Sequence, residues 1–389
     1  MTQSYHKPTI IATLLSAMLA VTSSCGDEPA AGGNDAEANI SFGRPTIGVA
    51  TASRSTMVSD RLPSGSAFDV YGYCVPYTVG TTSVTTDPDY AGASSGWPTK
   101  SEFVHPDVFS ATKVTVRDNG CSYTDHNGKR PWYIAGSAGV PQTSPTDRYL
   151  YSFFGLYPSG SFTNLKTGAA PADRGYPRFS FDMPFNGGTA TTARDHNAIH
   201  DAMYASRIDL RRSDGLVNLN FEHLLSAFSF RFNNYNTSDL TVTALTLSGQ
   251  FFRTVSLTFE TATPVLSTTP LTSSSYSGSF SFLDSPLTVV NGSGAEVKTP
   301  SPLFLLPDYS ATIDGIANSL GSGLKLSVTY SFAGGSSKTS ETEFKPASLP
   351  EGGNHYVANL NFVGDRFVLI FQDATDRWEN GSDNDIIIH

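Results

Sequence analysis

Residues 324–332 read LKLSVTYSF, and apolar and polar side chains alternate along the whole stretch. A period of two places one face of a strand on a core and the other in water, which is typical of antiparallel sheets. The same alternation recurs on both sides of this stretch, at Val217–Phe221, Phe228–Phe232, Leu240–Val242, Leu245–Leu247, Val255–Phe259, Tyr356–Phe362 and Val368–Ile370. The sequence therefore predicts an all-β protein.

Turn-forming residues separate the alternating runs, as at Asn291–Gly294 and Glu351–Asn354. Short strands at near-regular spacing favour β-sandwiches over alternating strands and helices. Helix signals are scarce, and the best short candidate is Ala198–Ile208. Alternation becomes regular only after a polar turn at residues 213–215. We therefore predict two antiparallel β-sandwich domains in tandem, over residues 40–213 and 214–389.

Composition and charge exclude several classes of protein. The chain has 389 residues, enough for two or three domains. Charged residues make up 15% and aromatic residues 12%, a balance that argues against intrinsic disorder. The net charge of −10 leaves no basic surface to neutralise phosphates, so we predict no nucleic-acid partner.

Residues 1–24 have the layout of a secretory signal peptide. The apolar run at residues 10–21 is shorter than the ~20 residues that a transmembrane helix needs. Small residues lead from it to Cys25, as in a bacterial lipoprotein signal, in which the thiol is acylated and anchors the chain to membrane lipid. Residues 25–39 are small and polar and are predicted to be a flexible tether. Ordinary secretion with an incidental cysteine is the alternative.

The chain contains three cysteines. Assigning Cys25 to lipid leaves Cys74 and Cys121, which could form a disulfide in an oxidising envelope compartment. Sequence separation does not report the distance between two Cα atoms, so the pairing stays open at this point.

Several ordered motifs together resemble one known family. An acylated start is followed by a short strand at Asn39–Phe42 and then by motifs at Ser53–Thr56, Gly65–Tyr73, Asp201–Ala205, Val217–Phe228 and Gly353–Leu360, the last of which leads to Trp378. This pattern resembles the fimbrillin family, the type V pilus subunits of Bacteroidota. The resemblance implies two transthyretin-like β-sandwich domains and a structural role in adhesion at the cell surface, after passage through the outer membrane.

The resemblance also implies how subunits join. An arginine-specific protease cuts after the first strand, and a strand from a neighbouring subunit fills the groove that is left. Arg54 is the scissile residue that the sequence favours, because it lies in a polar segment between two strand-like pieces. Arg61 is the reserve, and Arg44 is disfavoured because Pro45 follows it. The alternative is that Arg54 is an ordinary solvated loop residue.

A donor strand is expected in the C-terminal tail. Ile386, Ile387 and Ile388 form a β-branched apolar run near the end of the sequence. Few residues separate Trp378 from this run, so a tip or accessory subunit that accepts a strand without donating one stays open. The run is alternatively the last core strand.

Motifs for chemistry are weak. Residues 92–96 match the G-x-S-x-G nucleophile pattern, but neither a strand before them nor a helix after them is indicated. His196 and His200 are four residues apart, yet no third metal ligand can be identified from spacing. His223 follows a strand and is interpreted as a hydrogen-bonded, partly buried histidine. We predict no catalysis, no metal and no cofactor.

Aromatic residues support one rival function. Trp97, Trp132, Tyr149 and Tyr157 could stack against sugars on a loop platform, as in a surface lipoprotein that binds glycans for uptake. The alternative is that they belong to the core. As a pilus subunit, the protein would instead contact neighbouring subunits, the protease and a host or bacterial surface ligand.

Overall fold

The structure is a computed structural model, and it describes separate stretches of the chain. These are residues 39–48, 60–76, 108–124, 130, 132, 149–166, 176–184, 194–195, 201–210, 214–271, 276–283, 285–292, 297–299, 302–310, 320–346, 350–371 and 376–377. Every regular element within them is a strand, which confirms the all-β prediction.

The strands follow one another along the chain as β1 (Thr46–Ile47), β2 (Asp60–Arg61), β3 (Ala67–Pro76), β4 (Phe109–Arg117), β5 (Gly120–Tyr123), β6 (Tyr149–Tyr157), β7 (Phe162–Asn164), β8 (Arg178–Asp182), β9 (Arg194–Asp195), β10 (Met203–Leu210), β11 (Asn220–His223), β12 (Ser226–Asn234), β13 (Leu240–Phe251), β14 (Thr254–Thr258), β15 (Val265–Thr268), β16 (Tyr276–Ser281), β17 (Leu287–Val289), β18 (Val297–Lys298), β19 (Leu303–Leu305), β20 (Gly321–Phe332), β21 (Lys338–Glu343), β22 (Asn354–Val363), β23 (Arg366–Phe371) and β24 (Asp376–Arg377).

The first sheet has eight strands in the order β2-β1-β11-β10-β6-β3-β4-β5. Its central strand β6 is apolar along most of its length, with Phe153 and Phe154 both fully buried on opposite faces. Gly155 follows them, and a Cβ there would come within 2.9 Å of the Phe221 ring. The sheet therefore needs glycine at this point so that a side chain of β11 can pack against the backbone of β6.

Two six-stranded sheets form most of the second half of the chain. One has the order β18-β12-β22-β23, with β19 also pairing β12 and β24 pairing β22; the other has the order β21-β20-β13-β16-β9, with β17 pairing β13. Aromatic pairs join their inner faces, such as Tyr330 with Phe362 at 5.0 Å and Phe230 with Phe282 at 4.6 Å between ring centroids. The alternating apolar residues predicted from sequence supply these inner faces, and the two sheets form a sandwich.

Strand direction differs from the prediction in three places. β12 and β22 run parallel from Ala227↔His355 to Asn234↔Phe362, β1 is parallel to β11, and β9 is parallel to β16. The predicted antiparallel sheets are therefore mixed. Alternation reports which face of a strand is buried, whereas direction depends on connections that alternation does not encode.

The helix predicted at Ala198–Ile208 is wrong over its described part. Met203–Leu210 is strand β10, which pairs with β6 on one side and β11 on the other. Its backbone hydrogen bonds are taken up by two neighbouring strands, and this tertiary pairing overrides a weak local preference.

The predicted domain boundary at residues 213/214 stays a prediction. Asn39–His389 forms one compact unit, and residues 1–38 lie outside the described ranges. The eight-stranded sheet extends as far as His223, and a four-stranded sheet of order β15-β14-β8-β7 pairs strands from both sides of the boundary. The passage from the first sheet to the sandwich occurs at Leu224 and Leu225.

Candidate functional site

Residues 39–48, here called the N-terminal segment, lie beside β11 and run parallel to it. The backbone of the segment forms hydrogen bonds with the residues just before β11 and with β11 itself. These bonds are Val217 N to Ser41 O at 2.9 Å, Gly43 N to Val217 O at 3.0 Å, Thr46 N to Leu219 O at 3.2 Å and Gly48 N to Phe221 O at 3.1 Å. The short strand predicted at Asn39–Phe42 is present here as an isolated bridge, and the regular strand β1 follows it.

The opposite edge of the segment is bonded as well. Ile40 N donates to Arg130 O at 2.7 Å, and the Tyr123 hydroxyl donates to Ile40 O at 2.7 Å. Cys121 N donates to Phe42 O at 3.2 Å. The segment is thus an inner strand, with partners on both edges.

Three apolar side chains of the segment enter the core. Ile40 is fully buried, Phe42 is 3% exposed and Ile47 is 8% exposed. The Phe42 ring lies 5.7 Å from that of Phe109, and its centroid is 5.9 Å from Tyr123 and 5.8 Å from Phe153. Burying one side chain of this size stabilises the folded state by about 1.5–3 kcal/mol. These apolar contacts therefore add to the backbone hydrogen bonds that hold the segment in place.

A polar clamp holds the far end of the segment. The Thr46 hydroxyl donates to Asn220 Oδ1 at 2.8 Å, and Asn220 Nδ2 donates to Gly48 O at 2.6 Å. The clamp therefore recognises both a side-chain hydroxyl and the backbone of the segment.

Cys121 contacts the segment through its thiol, which donates to Gly43 O at 3.2 Å. Burial raises the pKa of this thiol to about 12, although the Arg44 charge acts in the opposite direction. The group is therefore a neutral hydrogen-bond donor at physiological pH.

The disulfide left open between Cys74 and Cys121 does not form, because Cys121 is a free cysteine. Its strand register explains why. Cys121 lies opposite Val116, and Val116 bonds Ser66 just before β3 begins. Cys74 lies near the other end of β3, roughly 25 Å farther along at ~3.3 Å per residue. A disulfide needs Cα atoms within about 7 Å of each other.

The three candidate cleavage residues have different surroundings. Arg44 is half-buried inside the segment and donates to Leu62 O at 3.5 Å. Arg61 is exposed but belongs to β2, where it pairs with Thr46. Arg54 lies outside the described residues, between these two.

A buried pair of hydrogen-bonded side chains lies where β11 ends. His223 Nδ1 and Asp201 Oδ2 are 2.7 Å apart, and burial raises the pKa of the Asp201 carboxyl, opposed by His223. The Leu224 carbonyl next to it accepts a hydrogen bond from the Tyr309 hydroxyl at 2.8 Å. His223 is hydrogen-bonded, as interpreted from sequence, but the sequence does not identify its partner Asp201 because the two residues are distant along the chain. Among the described residues, no cluster of three metal-binding side chains is found.

The aromatic platform is not formed by the described candidates. Trp132 is 3% exposed and packs on Tyr151 at 4.9 Å, and Tyr157 is 4% exposed. Both therefore belong to the core, the alternative considered for them. Nothing is described for the Tyr149 side chain or for Trp97.

Other sequence candidates also lie outside the described residues. They are Cys25, residues 92–96, His196, His200, Ile386, Ile387 and Ile388. Within the residues that the structure does describe, no helix is long and apolar enough to cross a membrane.

No family model matches the chain, and no curated protein matches it. Solved structures do. They include candidate cell adhesion proteins of Bacteroides uniformis (TM-score 0.43, 14% identity, 87% of this chain and 100% of that chain) and Bacteroides ovatus (0.42, 12%, 87% and 97%). The fimbrial anchor protein Mfa2 of Porphyromonas gingivalis is another (0.30, 8%, 85% and 96%). These similar structures are fimbrial or candidate cell adhesion proteins.

Proposed function

We propose that the protein is a structural subunit of a cell-surface pilus, assembled by strand replacement and acting without catalysis. The observation that carries the proposal is the N-terminal segment, which is bonded along both edges and packed by Ile40, Phe42 and Ile47. Residues 49–59 are its covalent connection to β2, with which β1 also pairs. A single cut there converts a part of the fold into a ligand that can be exchanged.

Release of the segment would leave a groove that needs a new strand. Val217 N, Cys121 N and the carbonyls of Leu219 and Phe221 would lose their partners, and buried backbone groups without partners are costly. The Phe42 pocket would open to water at the same time. A strand from a neighbouring subunit would restore the backbone hydrogen bonds and fill the Phe42 pocket. Because such pairing is heterologous, it extends into a filament.

Export and processing complete the proposal. The chain leaves the cell as a lipoprotein acylated at Cys25, reaches the outer membrane and is cut after Arg54 by an arginine-specific protease. Arg54 is preferred over Arg44, which is half-buried and precedes Pro45, and over Arg61, which is paired within β2. The strand around Ile387 is the proposed donor to the next subunit, and a host or bacterial surface ligand is the proposed target of adhesion.

The test is to determine the N-terminus of the protein recovered from the surface of its own cells. The proposal expects a start at Ser55 without lipid. Arg54→Ala should block processing, and the matched variant Arg61→Ala should leave it unchanged. An acylated Cys25 in the surface protein would contradict the proposal and favour an uncleaved pilus anchor or a glycan-binding lipoprotein.

A further inference from the structure

We propose that the groove under the N-terminal segment selects its occupant by sequence. The chosen strand carries an aliphatic residue at the Ile40 position, an aromatic residue at the Phe42 position and Ser or Thr at the Thr46 position. This inference rests on the proposed function and names the kind of partner strand that replaces the segment.

The aromatic position follows from the shape of the pocket. The Phe42 ring is surrounded by the rings of Phe109, Tyr123 and Phe153, and Phe109 and Tyr123 also contact each other at 5.2 Å. These rings belong to three different strands of one sheet, so they cannot collapse together without moving the sheet. A smaller side chain would leave a cavity, which costs binding in proportion to its volume.

The register of the occupant is set by polar contacts at both ends. At one end the Tyr123 hydroxyl donates to Ile40 O, and at the other end Asn220 bonds Thr46 Oγ1 and Gly48 O. Asn220 lies on β11, so its distance from the Phe42 pocket is fixed along the sheet. An occupant must therefore place its hydroxyl four residues after its aromatic side chain.

Residues 376–389 of a second copy do not match this pattern. Between residues 378 and 389 the one aromatic residue is Trp378, and Asp376 stands two residues before it. Placing Ile386 and Ile388 in the two apolar pockets puts isoleucine where the groove holds phenylalanine. The groove of this chain therefore favours a strand from a subunit of different sequence, and the strand around Ile387 would donate to a subunit whose groove differs from this one.

The experiment uses the full mature chain with a site-specific protease sequence inserted within residues 49–59. The folded protein is cut so that the segment stays in place, and its thermal transition is compared with that of the uncut chain. A fluorescent peptide of residues 39–48 is then exchanged into the groove. Because the cut is engineered, the result does not depend on processing at Arg54.

The peptide variants separate specificity from general strand pairing. We expect Phe42→Ala to weaken binding at least about a hundredfold and Thr46→Val about tenfold, whereas Ser41→Ala, at an exposed position, stays within about twofold. The peptide of residues 378–389 should compete poorly for the groove, and Ile388→Phe in that peptide should raise its affinity about tenfold.

Two results would overturn the inference in different ways. Equal binding of the native and Phe42→Ala peptides would remove the sequence selection and leave strand replacement intact. If the native peptide does not enter the groove while the cut protein stays folded, both the selection and the proposed function fail.

Discussion

Cys121 reports on whether the N-terminal segment is in place. Its thiol is half-buried and bonded to Gly43 O, and burial raises its pKa to about 12. At pH 8 only about one thiol in ten thousand is then ionised, and the thiolate is the reactive form. We expect slow modification by maleimide in the intact protein and much faster modification once the segment leaves.

The measurement uses a chain with Cys25→Ser and Cys74→Ser, so that Cys121 is the one remaining thiol of the three. Its labelling rate is followed before and after the segment is cut and released, with urea-unfolded protein as the upper limit. Equal rates before and after release would show that the segment does not shield the thiol.

Asp201 and His223 form a buried pair in which each side chain supplies a hydrogen-bond partner to the other. Their side chains are 2% and 5% exposed, and Asp201 Oδ1 has no hydrogen-bond partner among the described residues. We expect His223→Ala to lower the free energy of unfolding by about 3–5 kcal/mol, because it leaves a buried carboxylate without its partner. Urea denaturation measures this loss.

A double-mutant cycle tests whether the pair is the cause. Removing both groups with Asp201→Ala and His223→Ala should cost less than the sum of the two single changes. Additive losses would mean that each residue acts through separate packing contacts.

The N-terminal segment is the element on which the proposed function depends, and Phe42 is its main anchor. Phe42→Ala should lower the free energy of unfolding of the uncut chain by about 3–5 kcal/mol, because the pocket of Phe109, Tyr123 and Phe153 is left empty. Ser41→Ala is the matched control, one residue away and exposed. A loss below about 1 kcal/mol for Phe42→Ala would show that the pocket closes without its occupant.

Alternation along the chain predicts most strands of the sandwich but little about their neighbours. It identifies Phe228–Phe232 and Tyr356–Phe362 as strands, but not their parallel pairing, since direction depends on how the chain connects the two strands. Alternation does not identify the strand at Met203–Leu210, because this segment is held in the extended conformation by pairing with β6 and β11.

The groove is predictable from sequence only in outline. The family resemblance places a first strand at Asn39–Phe42, but the Asn220 clamp and the Cys121 contact join residues far apart in sequence. Nothing in local composition marks such partners, and only the sheet order brings them together.

At the scale of the whole molecule, the first sheet and the sandwich share one core. Phe259, which follows β14, contacts Phe154 of β6 at 4.5 Å and Phe179 of β8 at 5.9 Å. Residues from both sides of the predicted boundary at 213/214 belong to the same buried cluster. This core lies on the Phe154 face of β6, whereas Phe42 packs against Phe153 on the opposite face, so the groove is separated from the core by the first sheet.

The folded protein also buries ionisable groups whose titration should destabilise the molecule at high pH. Burial raises the pKa of Tyr71, Tyr157, Tyr204 and Tyr309, with neighbouring carboxylates adding to the effect, and it raises the pKa of Cys121. In the unfolded chain these phenols ionise near pH 10 and the thiol near pH 9. The folded state then binds more protons than the unfolded state, so stability is retained below these values and is lost as pH rises above them.

We therefore expect the free energy of unfolding to fall between pH 9 and pH 11, with a slope that steepens through pH 10 towards about 1.4 kcal/mol per pH unit for each phenol that stays protonated only in the folded state. Urea denaturation at a series of pH values measures the slope. Tyr204→Phe should make the slope shallower by about one proton, because it removes one buried phenol. Tyr235→Phe, at a residue that is 66% exposed, should leave it unchanged. Equal slopes in both variants would show that the buried phenols are not what destabilises the protein in alkali.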